Sequence, residues 1–271
     1  KRPAGVRCCM TGVDALRGTD MERVCKKAEE QVEIPVRPCY RYALTRESRK
    51  PPMVHVRQSL YSLLEPGKKK GNVVNLLGFF SPLVDDCEIY DLLHSAGVKT
   101  IHEISRCKDY MEYQTMSEAN FNLVLHHEAR FAAENFHNRL QIPFIELRRL
   151  YQIDKIENQY HALGNALGVA FYDEKYKKQA EDALEKFRQK CPDASFAIGE
   201  CLNADPFELS LALRRYGLSV PEIYGTITVE NFTYSRSLAK ISPETKVFSN
   251  MEPTMIYYDP AKSDVNLAIG K

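Results

Sequence analysis

Three short stretches hold residues whose types and spacing suit chemistry. "LVLHHEARF" (123–131) sets two adjacent histidines, His126 and His127, beside Glu128, where an apolar run meets a helix-like pattern. An imidazole titrates near neutral pH and also binds metals, so this is a candidate proton-transfer or metal site. "CCMTGVDALRGTDMERV" (8–24) places Cys8 and Cys9 at the end of another apolar run, with Gly12 just beyond and a capped helix after it. A thiol in such a position is free to bind iron. "AIGECLNADPFEL" (197–209) follows a third run. There Gly199 permits a tight turn, Asn203 or Asp205 can cap the next helix, and Glu200 and Cys201 lie between. Each stretch has a plainer reading. A glutamate in a first turn favours the positive end of a helix, a histidine there can bond nearby backbone, and a cysteine is often a small buried hydrophobe.

Familiar signatures of other chemistries are missing. His127-Glu128 is followed by Ala129, Arg130 and Phe131, so the zinc-protease pattern with a second histidine fails. Neither the glycine fingerprint of dinucleotide binding nor the nucleophile elbow of serine hydrolases occurs. "EPGKKKGN" (65–72) lacks the Gly-Lys-Ser/Thr ending of a phosphate-binding loop and reads as a charged turn. The eight cysteines form no Cys-x-x-Cys pair, which argues against a zinc ribbon or a self-contained ferredoxin.

The elements that would position these residues alternate along the chain. Strand patterns at 5–13, 33–39, 72–78, 98–104 and 119–125 are separated by helical patterns at 19–31, 53–65 and 82–97. A helix at 128–140 and a strand at 142–147 follow, then long helices at 155–168 and 173–190. A second alternation runs from a strand at 194–199 through a helix at 205–217, a strand at 218–225 and a helix at 229–239 to strands near 245–250, "MIYY" (255–258) and 264–270. Short apolar strands alternating with helices imply parallel sheets covered on both faces, with ligands at the carboxyl ends of the strands. The reading is α/β, two doubly wound Rossmann-like domains: residues 1–170 and residues 171–271, the second incomplete, with a helical linker at about 155–190. Parallel strands are expected at about 6–11, 73–77, 121–125 and 194–198. By position, all three chemical stretches fall at strand carboxyl ends and can face one cleft.

The chain has 271 residues, 44% hydrophobic and 27% charged, enough for two compact domains. With 37 Lys and Arg against 36 Asp and Glu, net charge directs it neither to nucleic acid nor to a membrane. Its apolar runs are strand-sized, and no signal peptide opens it. Reduced thiols in a cytoplasm are expected. It begins with lysine, its last strand has no helix after it, and both ends look cut from something larger.

The order of elements, with "CMTGVDALRGTDMERV", "EIPV", "NVVNLLG", "LLHSAGVKTIHEIS", "SEANFNLVLHHEARFAAENFHNRLQIPFIEL" and "FAIGE…DPFELSLALRRYGLSV", resembles the nitrogenase component 1 family. That family comprises nitrogenase α and β subunits, cofactor-assembly scaffolds and the catalytic subunits of dark-operative tetrapyrrole reductases. The resemblance implies three Rossmann-like domains with substrate or cofactor between them. This chain would supply most of the first and much of the second, without the third domain and the N-terminal cysteine-rich segment. It implies electrons from an ATP-dependent iron–sulfur reductase resembling the nitrogenase iron protein, a homologous or identical component 1 subunit as partner, and a 4Fe–4S-type cluster in the full assembly. Consistently, no phosphate-binding loop is present.

The resemblance also assigns residues. Cys9-Met10-Thr11-Gly12 matches the spacing of a cluster-ligating cysteine, with Cys8 as its neighbour. Two further cluster cysteines belong upstream, so the isolated chain is expected to hold no complete cluster. The position at which the nitrogenase α subunit holds its metal cofactor through a cysteine is occupied by His126, which argues against the usual iron–molybdenum cofactor. His126 would be the catalytic residue, as a proton donor or metal ligand, pointing into the interdomain cleft. His127 and Glu128 would begin the helix, with the two histidines diverging. Gly199, Glu200 and Cys201 stand where nitrogenase wraps its cofactor in a basic, glycine-rich loop. They would face the cleft, and an acidic residue there suits another substrate. A non-catalytic scaffold for cluster assembly and a degenerate binding module are the rival readings.

Overall fold

The computed structural model describes residues 3–40, 52–78, 80–202, 204–249, 252–259, 263 and 265–270, with backbone alone at Pro52 and Thr254. The chain divides into two compact units, Lys1–Arg148 and Arg149–Lys271. The division precedes the helices at 155–190, where the sequence pattern suggests a boundary.

The first unit opens with β1 (Val6–Met10), α1 (Gly12–Leu16), α2 (Met21–Val32) and β2 (Val36–Tyr40). β1 and β2 pair in parallel, Cys9 opposite Cys39. The expected strand at 5–13 stops early. Thr11 and Asp14 form a reciprocal capping box that starts α1, so hydrogen bonding at Thr11 turns the chain. α2 begins where Asp20 accepts from the Arg23 amide, and it buries Cys25 from its apolar stripe.

Next come α3 (Pro52–Leu60), β3 (Lys70–Leu77), α4 (Glu88–Ser95), β4 (Thr100–His102), α5 (Tyr110–Thr115), β5 (Ala119–Val124), α6 (Arg130–Leu140) and β6 (Phe144–Glu146). The four strands form one sheet in the order β4-β3-β5-β6, and every pairing is parallel. β3 and β5 are buried along most of their length, as central strands of a sheet covered on both faces must be. Val73, Leu77 and Val124 pack with Ala129, Ala132, Ala133 and Phe136 in the main core of this unit. The helix expected at 82–97 is shorter. Glu103 accepts from the Leu83 amide, and Arg106 bonds the Leu83 carbonyl and Asp85, which holds this segment outside the helix.

The second unit holds α7 (Ile153–Leu167), α8 (Glu174–Lys190), β7 (Ser195–Ile198), α9 (Pro206–Arg215), β8 (Ser219–Tyr224), α10 (Phe232–Ile241), β9 (Lys246–Phe248) and β10 (Leu267–Ile269). Its sheet runs β10-β7-β8-β9, again parallel throughout. Ile198, Ile223 and Phe207 are fully buried at its centre. Asp205 caps α9 by accepting from the Phe207 and Glu208 amides, with Pro206 preset at the first position. Asn203, the other proposed cap, lies outside the described residues. "MIYY" is not a strand: Pro253–Tyr257 forms a 3-10 turn, and the Tyr258 ring packs on Tyr224 and Phe248.

Candidate functional site at the carboxyl ends of β3 and β5

β3 and β5 are neighbours, so their carboxyl ends deliver Gly78 and Leu125–Glu128 to one place. The Leu125 amide still bonds the Leu77 carbonyl at 2.8 Å. A Cβ on Gly78 would stand 3.1 Å from the Leu125 Cβ, so glycine lets the two exits close on each other. His126 keeps an extended backbone (φ −144°, ψ 136°) and caps the 3-10 turn His127–Ala129, which runs directly into α6. His126 therefore terminates the strand, and His127 and Glu128 begin the helical segment.

The His126 ring is fixed by that turn. The Glu128 amide donates to its Nδ1 at 3.3 Å. A nitrogen that accepts an N–H carries no proton of its own, so neutral His126 is the Nε2–H tautomer. The Glu128 carboxylate oxygen Oε2 is 3.8 Å from the same Nδ1, close but beyond hydrogen bonding. The His126 and Glu128 side chains are 20% and 21% exposed, so both remain open to a small molecule. The two histidines do not diverge as expected: their rings lie 4.3 Å apart at an angle of 33°.

A residue that the sequence reading passes over completes the cluster. Arg57, on α3, sends Nε and Nη2 to Glu128 Oε2, each at 3.1 Å, and Nη1 to the Gly78 carbonyl. Its side chain is 7% exposed, and its guanidinium lies 4.7 Å from the Phe80 ring centroid. The partners are 71 residues apart, and no local spacing announces them.

The thiols of β1 are arranged differently. Alternation sends Cys8 and Cys9 to opposite faces of the strand. Cys9 is exposed, whereas Cys8 is half-buried against Cys25 of α2. Burial, reinforced by the hydrogen bond with Cys8, pushes the Cys25 thiol up to about 11. Among the described residues, no three His, Cys, Asp or Glu side chains are grouped to hold a metal ion. The described donor set thus groups no complete ligand set for an iron–sulfur cluster, and Cys9 is the thiol left facing outward on β1.

In the second unit the loop after β7 is held by its own backbone. The Gly199 amide bonds the Ile269 carbonyl at 2.8 Å, and the Cys201 amide bonds that of Gly270 at 3.1 Å. A Cβ on Gly199 would sit 2.2 Å from the Gly270 oxygen, so this contact demands glycine. Glu200 accepts from the Thr226 amide at 2.5 Å, tying the β7 exit to the β8 exit. Cys201 is exposed and free.

The family described as "Nitrogenase component 1 type Oxidoreductase" matches residues 1–271. Among solved structures, "Nitrogenase Cp1 at pH 6.5" is similar at 16% identity and a TM-score of 0.72, over 98% of this chain and 64% of that one. "Nitrogenase Cp1 at pH 5" gives 17% identity and a TM-score of 0.53, over 92% of this chain and 49% of that one. At such identity the likeness is one of fold, a mixed α/β fold with parallel sheets in Rossmann-like domains. The chain spans less than two thirds of the structures it matches. A comparison with curated proteins gave no match. No described helix is long and apolar enough to cross a membrane.

Proposed function

We propose, from the premise that the chain belongs to the nitrogenase component 1 type oxidoreductase family, that its full-length assembly takes electrons from an ATP-dependent iron–sulfur reductase and reduces a substrate beside the carboxyl ends of β3 and β5. His126 is the proton donor of that reaction. The observation that carries this reading is the His126 ring, partly exposed and held at a strand end by the Glu128 amide. Open α/β sheets bind ligands at this edge.

Reduction needs protons with its electrons, and Glu128 can serve both states of the ring. In the neutral ring its amide donates to Nδ1. When Nδ1 takes a proton that amide bond gives way, and Oε2 is the nearby acceptor. The imidazolium then passes its Nε2 proton to the reduced substrate, leaving Nδ1–H against the carboxylate; uptake of a solvent proton at Nε2 and release of the Nδ1 proton restore the resting tautomer. A 4Fe–4S cluster, where bound, supplies electrons. By the family resemblance, the cluster would be shared with residues or a component 1 subunit beyond this chain, Cys9 contributing. Gly199, Glu200 and Cys201 would shape the edge of the second sheet rather than react. The free thiols suit a reducing compartment such as the cytoplasm.

The test is ATP-dependent consumption of a chemical reductant by the full-length protein with its reductase, with proton reduction as the default outlet. Consumption well above that of the reductase alone is expected. Consumption equal to it, with both proteins intact, would overturn the reading and favour a cluster-assembly scaffold.

A further inference from the structure

Arg57 is a nearly buried cation that the proposed proton transfer does not itself use. It comes from α3 and reaches the one carboxylate oxygen that stands beside the His126 ring. Nε and Nη2 both meet Glu128 Oε2 at 3.1 Å, and that oxygen is 3.8 Å from His126 Nδ1. Its remaining Nη1 anchors on the Gly78 carbonyl, at the exit of the neighbouring strand, and Phe80 covers the guanidinium. The fork is thus fixed at both ends before it touches Glu128.

Two groups of Glu128 compete for Nδ1. The amide requires an unprotonated nitrogen, whereas the carboxylate requires Nδ1–H. A carboxylate is the stronger partner of the two when it is free, because a charge-assisted hydrogen bond is roughly twice as strong as a neutral one. Yet the ring accepts from the amide. Arg57 accounts for the outcome by occupying Oε2 and offsetting its charge.

We infer that Arg57 is a positioning residue that sets the tautomer of His126 through Glu128, keeping Nδ1 unprotonated and the ring proton on Nε2 at rest. The inference rests on the proposed function only in naming His126 as the proton donor. The tautomer itself can be read without turnover. Among the described residues, the charged and titratable groups beside the ring include His127 and Glu128 on its own segment and Arg57 from α3.

The experiment is nitrogen-15 spectroscopy of the imidazoles in the full 271-residue chain, labelled at histidine and held at alkaline pH so that neutral rings dominate. His126→Asn assigns the resonances. The wild type should show an unprotonated Nδ1 and a protonated Nε2 at His126. Arg57→Met should move the Nδ1 resonance toward the protonated type, because the freed carboxylate captures it. Arg57→Lys, which keeps a cation near Oε2, should restore most of the wild-type signal. The double variant Arg57→Met/Glu128→Gln should restore it too, since no carboxylate remains to compete. A loss of histidine dispersion in Arg57→Met would report unfolding. In that case Arg57→Lys and Glu128→Gln decide, and both must keep the wild-type tautomer. A protonated Nδ1 in the wild type would overturn the inference. So would an unshifted Nδ1 in folded Arg57→Met, or a double variant still shifted. If the tautomer behaves as stated while the full-length protein turns over without His126, the proposed function fails and this inference stands.

Discussion

The two parallel sheets end in different ways. At the β3–β5 exits the backbone finishes its own bonds, and side chains are left over: His126, Glu128 and Arg57 engage one another and stay partly open to solvent. At the β7 exit the side chains are absorbed. Gly199 disappears into contact with Gly270, and Glu200 serves the Thr226 amide. The two glutamates that carry most weight differ likewise. Glu128 faces a guanidinium, whereas Glu208 of α9 is wholly buried among neutral donors, the amides of Tyr151 and Gln152 and the Gln152 side chain. The same topological position therefore leaves polar side chains partly open in one unit and ties them to backbone in the other. What decides is whether the turn chemistry consumes the polar side chains.

That contrast can be broken by substitution in the second unit, where changes should lower stability and leave turnover alone. The largest effect belongs to Gly199→Ala. Its Cβ would meet the Gly270 oxygen at 2.2 Å, so β10 must shift away. A loss of about 3 kcal/mol in chemical denaturation is expected from such overpacking. An unchanged midpoint would show that β10 is not held at this contact.

Glu208 gives a smaller effect, visible through pH. Burial raises its pKa above the usual carboxylate range, despite the hydrogen bonds that lower it. A group whose folded pKa is raised stabilises fully below its unfolded value and loses that contribution as the pH rises through the folded one. Glu208→Gln should therefore gain on the wild type in thermal melts as the pH climbs from below about 4 toward neutrality. A difference that shrinks over that range would contradict the assignment. Glu200→Ala ranks next, with about 1 kcal/mol lost as the Thr226 amide goes unanswered. Cys201→Ser, exposed and unbonded through its thiol, should stay within about 0.5 kcal/mol of the wild type. A large effect from Cys201→Ser would mark the loop as functional and erase the contrast.

Much of the fold was legible in the sequence because apolar periodicity and cap residues act locally. Asp20 and Asp205 start α2 and α9, and alternating patterns place β3, β5, β7 and β8 as parallel strands. The misreadings arose where distant contacts govern. The 82–87 segment is held by Glu103 and Arg106, and the 253–257 turn by aromatic packing around Tyr258. For the site, local reading placed His126 at its strand end. It anticipated neither the tilted ring contact of His126 with His127 nor Arg57, whose partners lie 71 and 21 residues away along the chain. The pairing of Cys8 with Cys25 was equally hidden, since a strand and a helix meet there only in the folded protein.

The central claim is that chemistry resides at the β3–β5 edge and not at the β7 edge. The direct measurement is turnover of the full-length assembly with its reductase, comparing His126→Ala with Glu200→Ala. The account predicts a loss on the order of a hundredfold for His126→Ala, the usual consequence of removing a general acid, and a change within about twofold for Glu200→Ala. Turnover of His126→Ala within about twofold of the wild type, in a protein that folds normally, would contradict it.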